Sequence, residues 1–196
     1  MNTPDTTTEA YANTRPSSAA DLPDYAPIPR PAMGPALNEQ GYYVGRVERN
    51  LYWVTDGTYQ SAFLTTKDGA VLLDAPPTIG HNIQRAVDEI ASANGVSNKV
   101  THLVYSHHHA DHAGASSLFD KSVARIGHEE TRKLLLRDDD PARPAPEETF
   151  QDKRSLEIGG ERIELAGHLL EGGPFALAGG TAGEVSAEFG GFAGRQ

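Results

Sequence analysis

Four of the chain's eight histidines and one aspartate fall within six consecutive residues, His107-His108-His109-Ala110-Asp111-His112. Imidazole and carboxylate are the groups from which catalytic zinc sites are built, and two adjacent ions can share such a supply. In an extended segment side chains alternate, so His107 and His109 point one way and His108 the other. Asp111 and His112 follow where the chain must turn, and they approach the same cavity from a second side. By chance, His-x-His-x-Asp-His arises in roughly one chain of this length and composition in a thousand. The plainer alternative is a solvated histidine-rich loop that picks up metal adventitiously.

The elements on either side decide where such a cluster would stand. Val100 to Tyr105 is a short β-branched and aromatic run, which predicts a buried strand. Ala113 to Phe119 is rich in small residues and can open a helix. The cluster therefore sits where a strand gives way to its loop, the usual ligand position in an α/β fold. Upstream, Tyr42 to Val47, Leu51 to Thr55, Tyr59 to Thr66 and Ala70 to Asp74 are four strand-like runs. Asn50, Asp56-Gly57 and Lys67-Asp68-Gly69 punctuate them as hairpin turns. Between Ile79 and Ala93 the apolar residues Ile83, Ala86, Val87, Ile90 and Ala91 share one helical face, and Gly95 ends the pattern. Asp74 closes the apolar run Val71-Leu72-Leu73, so its carboxylate needs a partner. Capping the next loop would provide one.

His107-x-His109-x-Asp111-His112 after a strand resembles the signature of the metallo-β-lactamase superfamily. The order of segments upstream, Asp56 to Leu64, Gly69 to Ala75, a helix and then the signature strand, is similar to the first half of that superfamily's αββα sandwich. The likeness runs from about residue 41 to 166. It implies an α/β fold in which His107 and His109 hold one zinc ion, and Asp111 and His112 a second. It also implies that Asp74 supports the site from behind, by holding a ligand imidazole. The implied activity is hydrolysis of an ester, thioester, lactone or lactam by a metal-bound hydroxide, with Asp111 orienting the nucleophile and receiving its proton.

After residue 128 the pattern of the family breaks. His168 is the only later histidine, and no aspartate follows Asp152. His168 stands near the place of the family's third histidine, but Gly167-His168-Leu169-Leu170 does not reproduce the Gly-x-x-His motif. Val123 to Ile126 predicts a strand and His128 to Leu136 a helix, with His128 at its start in a capping or surface role rather than as a ligand. Asp138 to Glu148 is an acidic loop with three prolines. Phe150 to Lys153, Ser155 to Ile158 and Glu161 to Ala166 predict strands, the last two joined by a Gly159-Gly160 turn.

The two ends have another character. Residues 1–38 carry seven of the thirteen prolines and no apolar periodicity, which predicts a disordered tail. Residues 167–196 hold nine glycines and five alanines, which predicts a tail that does not pack. The expectation is a truncated or frame-disrupted family member, limited to the N-terminal half of the sandwich. Its apolar strand faces, Trp53, Phe63, Leu72 and Leu103 among them, would be left uncovered and prone to self-association. A second function class follows: a catalytically inactive chain that binds metal weakly or not at all.

Composition excludes several partners. A net charge of −10 argues against a nucleic-acid backbone. The absence of cysteine removes thiolate ligands and disulfides. No apolar run is long enough to span a membrane, and the N-terminus carries no secretory pattern. A cytoplasmic protein acting on a small molecule is the default expectation.

Overall fold

A computed structural model of the chain describes residues 33–170 and the backbone of residues 173–179; the side chains of 168–170 and the remaining residues lie outside that description. The tail expected over residues 1–38 therefore falls almost wholly outside it. Where the described chain becomes regular, the Asn38 side chain accepts hydrogen bonds from the Gln40 and Tyr42 amides (3.0 and 3.1 Å). This Asx turn feeds the first strand.

Four antiparallel strands follow: β1 (Tyr43–Glu48), β2 (Leu51–Thr55), β3 (Gln60–Thr66) and β4 (Gly69–Leu73). Helix α1 (Asn82–Asn94) ends at Gly95, whose left-handed backbone (φ 67°) lets its amide reach the last carbonyls. Strand β5 (Val100–Val104), the short helix α2 (Ala110–Ala113) and a 3₁₀ turn (Ser116–Leu118) come next. Strand β6 (Ala124–His128), helix α3 (Glu129–Asp138) and strand β7 (Glu148–Phe150) complete a seven-stranded sheet in the order β1 to β7. Strands β4, β5, β6 and β7 run parallel to one another. Strands β8 (Lys153–Ile158), β9 (Glu161–Leu170) and β10 (Gly173–Gly179) form a second, antiparallel sheet in the order β10-β9-β8.

Strand alternation sorts the core into two layers. Tyr52, Phe63, Leu72 and Leu103 lie in cross-strand register and pack with Ile83, Ala86 and Val87 of α1 and Leu135 of α3. The intervening residues Leu51, Leu64, Val71, Val104 and Ile126 face the other way, onto Leu156, Ile158, Ile163 and Leu165 of the second sheet. The described residues thus stack as helix, sheet, sheet, the α/β arrangement expected.

One expectation needs correction. Phe63, Leu72 and Leu103 are fully buried and Trp53 is half-buried, so the uncovered face that was to drive self-association is absent at these residues. Their cover is local: α1 sits between β4 and β5 in sequence, and folds back over the strands it connects. Strand β9 runs on to Leu170, and the β10 backbone pairs with it. Backbone pairing needs no large side chain, so a glycine-rich segment can still complete a ladder. Among the described residues no helix is long and apolar enough to cross a membrane.

His128 caps α3 as expected. Its Nδ1 accepts from the Glu130 amide (3.1 Å), and its Nε2 donates to the Gln151 carbonyl (2.7 Å). With both ring nitrogens engaged, it is a structural histidine.

Candidate metal centre

The parallel pairing of β4 with β5 brings Asp74 beside the histidine motif. Leu73 is in register with Val104, and the Asp74 amide donates to the Val104 carbonyl (2.9 Å). Both strands then end at the same rim, Asp74 in the left-handed region (φ 64°). Aspartate tolerates that conformation better than most residues, and strained backbone of this kind gathers at functional sites. The loop after β4 also holds α2 in place: the Ala75 amide donates to the His112 carbonyl (2.8 Å), and the Ala115 amide to the Ala75 carbonyl (2.9 Å).

One carboxylate organises the cluster. Asp74 Oδ1 accepts from the Ser106 amide (2.7 Å), and Oδ2 accepts from the Ser106 hydroxyl (2.5 Å) and from His112 Nδ1 (3.2 Å). The Ser106 hydroxyl, its hydrogen directed at Asp74, is left to accept from His107 Nδ1 (2.8 Å). Asp74 therefore orients His112 directly and His107 through a serine. Donation from Nδ1 in each neutral ring would leave Nε2 as the nitrogen that binds metal.

The rings converge. His107 lies 4.4 Å from His112 and 4.7 Å from His109, centroid to centroid. Ligand atoms of Asp74, His107 and His112 all fall within 4.8 Å of one another. Asp111 is half-buried, its Oδ2 3.9 Å from His112 Nε2, and His109 is exposed at the rim. The His109 ring lies between the other two, 4.7 Å from His107 and 4.5 Å from His108. His108, 6.5 Å from His107, lies near Arg143 and Asp138 of the α3 side. For His168, β9 places its backbone opposite Phe175, but its side chain lies outside the described residues.

Electrostatics suit the role. Burial pushes the His107 imidazole down to about 4, so the ring is neutral at pH 7. His102 and His108 are also held low by burial. His112 is raised, chiefly by its hydrogen bond to Asp74. Negative charge on Asp111 holds the Tyr59 hydroxyl, its hydrogen-bond partner, above the ordinary phenol value. The Tyr59 ring stands edge-on to His112 at 6.1 Å.

These directions fix a pH profile for the metal-free chain. Below the ordinary histidine value of 6.5, the unfolded chain takes up protons that folded His107 refuses until about 4, so stability falls across that window. His112 acts in the other direction. Its contribution is complete below 6.5 and is lost as pH rises through its raised folded value. With chelator present, the melting temperature should peak near pH 6.5 and fall more steeply toward acid, where three imidazoles act together. A flat profile from 6.5 to 4.5 would contradict this assignment.

Sequence reasoning missed Ser106 and Tyr59. The signal for Ser106 was its position between the strand and the first motif histidine, where a hydroxyl can reach the next strand's carboxylate.

A model of the metallo-beta-lactamase superfamily matches residues 54–191. The probable metallo-hydrolase YqjP of Bacillus subtilis (strain 168) is 32% identical over 66 residues, which are 34% of this chain and 21% of that protein. The metallo-beta-lactamase IND-7 superposes with a TM-score of 0.55 at 22% identity, covering 72% of this chain and 67% of that one. The metallo-beta-lactamase from Pontibacter korlensis gives 0.54 at 20% identity, covering 70% and 66%. The class B3 di-zinc enzyme LRA-12 from an Alaskan soil metagenome gives 0.56 at 15% identity, covering 78% and 65%. The chain thus spans about two thirds of these lactamases and about a fifth of YqjP. The match spans β3 to β10 and the histidine motif, and the chain belongs to the metallo-beta-lactamase superfamily.

Proposed function

We propose that this chain is a zinc-dependent hydrolase acting on an ester, thioester, lactone or lactam carbonyl. The observation that carries the reading is that the His107 ring lies within 4.7 Å of both His109 and His112, with a carboxylate that fixes His107 and His112. Neutral imidazoles and carboxylates are the donors zinc prefers, so the residues fit the ion. His107 and His109 would hold one ion, Asp111 and His112 a second, with Asp74 behind them and His168 the remaining candidate. Zinc supplies a Lewis acid that acidifies water and polarises a carbonyl oxygen.

The residues themselves do the rest. Asp111, whose Oδ2 lies 3.9 Å from His112 Nε2, would orient the attacking water and take its proton. Asp74 and Ser106 keep the lone pairs of His107 and His112 on Nε2. Exposed His109 marks the side on which a small-molecule substrate would enter.

A second reading has its own support. The one tight donor cluster among the described residues is Asp74, His107 and His112, and Asp74 already serves Ser106. A chain with only these donors would bind a single ion loosely and not turn over. Hydrolysis of a chromogenic ester or lactam with added zinc separates the two. The first reading expects turnover that a His107→Ala, His109→Ala double variant lowers at least about a hundredfold. Equal rates for the two proteins would remove it.

A further inference from the structure

Asp139 to Glu147, between α3 and β7, carries Pro141, Pro144 and Pro146 and a single cation, Arg143. It is fastened at five points to its surroundings, two of them on the motif segment itself. The Ala142 carbonyl accepts from the Ser117 amide (3.2 Å), and the Pro144 carbonyl from the hydroxyl of Tyr105, two residues before His107 (2.7 Å). Arg132 donates to the Pro146 carbonyl, and the Glu147 carboxylate accepts from the Arg125 amide (3.2 Å). The fifth point lies inside the motif: Arg143 Nη1 donates to the carbonyl oxygen of His108 at 2.6 Å.

The guanidinium is itself fixed. Arg143 Nε donates to Asp140 Oδ2 at 2.7 Å, and Nη2 lies 3.5 Å from Asp138 Oδ2. Its side chain is 11% exposed. A planar fork that satisfies two carboxylates and a carbonyl at once is a task for arginine, since lysine offers one point charge. The carbonyl it grips belongs to the peptide joining His108 to His109. Its orientation sets the direction in which His109 leaves the backbone relative to His107.

We propose that Arg143, clamped by Asp138 and Asp140, is the positioning residue of the metal motif, holding the His108–His109 peptide so that the His109 ring stays beside His107. The part of this that concerns metal rests on the hydrolase reading above; the clamp on the backbone does not. It also assigns a role to the acidic proline loop, as the brace of the site.

Two readouts test it on the full chain. In metal-free protein, amide hydrogen exchange over residues 105–113 should rise about tenfold in Arg143→Ala, with the rest of both sheets unchanged. Zinc affinity, measured by competition with a chromogenic chelator, should fall about tenfold in the same variant and recover in part in Arg143→Lys. Arg137→Ala is the control: it removes an exposed cation paired with Asp138 that makes no bond to His108, and should leave both readouts at the parent value. If Arg143→Ala melts below the assay temperature, Arg143→Lys against the parent carries the comparison. Unchanged exchange at 105–113, a rise spread evenly over the chain, or unaltered zinc affinity would each overturn the proposal. A parent chain that binds no zinc would overturn the hydrolase reading and the metal role of Arg143, while exchange still decides the clamp.

Discussion

Replacing Asp74 with alanine should cost about 3–5 kcal/mol of stability and weaken zinc binding about 10- to 100-fold. The carboxylate is nearly buried and satisfies three donors, the Ser106 amide and hydroxyl and His112 Nδ1. Alanine would strand the Ser106 donors at about 1–3 kcal/mol each. It would also place a residue without a compensating side chain at φ 64°, adding about 1 kcal/mol. For a domain of this size the melting temperature should drop by about 10 °C. Asp74→Asn separates the two effects. An amide oxygen still accepts from the Ser106 amide, so most of the stability should return. The charge that holds the His112 tautomer would be gone, so zinc affinity should stay low. Calorimetry and chelator competition on both variants check this, and an Asp74→Ala chain with parental zinc affinity would show that the carboxylate has no hold on the site.

Phe63→Ala should be the most damaging single change away from the site, at about 3–5 kcal/mol. Phe63 is fully buried in the middle of β3. Its ring stacks on Tyr52 (5.5 Å, 19°), stands in register with Leu72 on β4 and contributes to the layer beneath α1. Truncation would leave a cavity at the crossing of three strands and a helix, where rigid neighbours cannot close in. A loss of that size is a large part of the roughly 5–15 kcal/mol that domains possess. Urea unfolding of the two proteins measures it; a difference below about 1 kcal/mol would mean that the layer is loosely packed.

The parts of the fold legible in the sequence were those written in local patterns. The β2, β3 and β4 boundaries followed from Asp56-Gly57 and Lys67-Asp68-Gly69, because turn residues and apolar alternation act over a few positions. The face of α1 was readable for the same reason, and Gly95 marked its end. The motif histidines stood out by type and spacing alone. The long-range partners were another matter. That Asp74 would grip Ser106 as well as a histidine depends on the parallel register of β4 with β5, which no local pattern encodes. Burial of Phe63, Leu72 and Leu103 depends on α1 folding back, and the expectation of an uncovered face failed there. Glu148 to Phe150 joins the large sheet as β7, an assignment three residues cannot announce. No local pattern singles out Arg125 or Arg143. In the fold Arg125 is buried, its guanidinium capping the carbonyls of Val123, Ser116 and Phe119, and Arg143 reaches the motif.

The central claim is that the cluster at the ends of β4 and β5 holds metal, and zinc content tests it most directly. The chain would be loaded with zinc, dialysed exhaustively against metal-free buffer and analysed for metal per chain, beside a His107→Ala, His112→Ala variant confirmed as folded. The account predicts at least about one zinc per parent chain and less than about a tenth of that in the variant, with a value near two assigning both ions. A parent chain that retains no more zinc than the variant would contradict it.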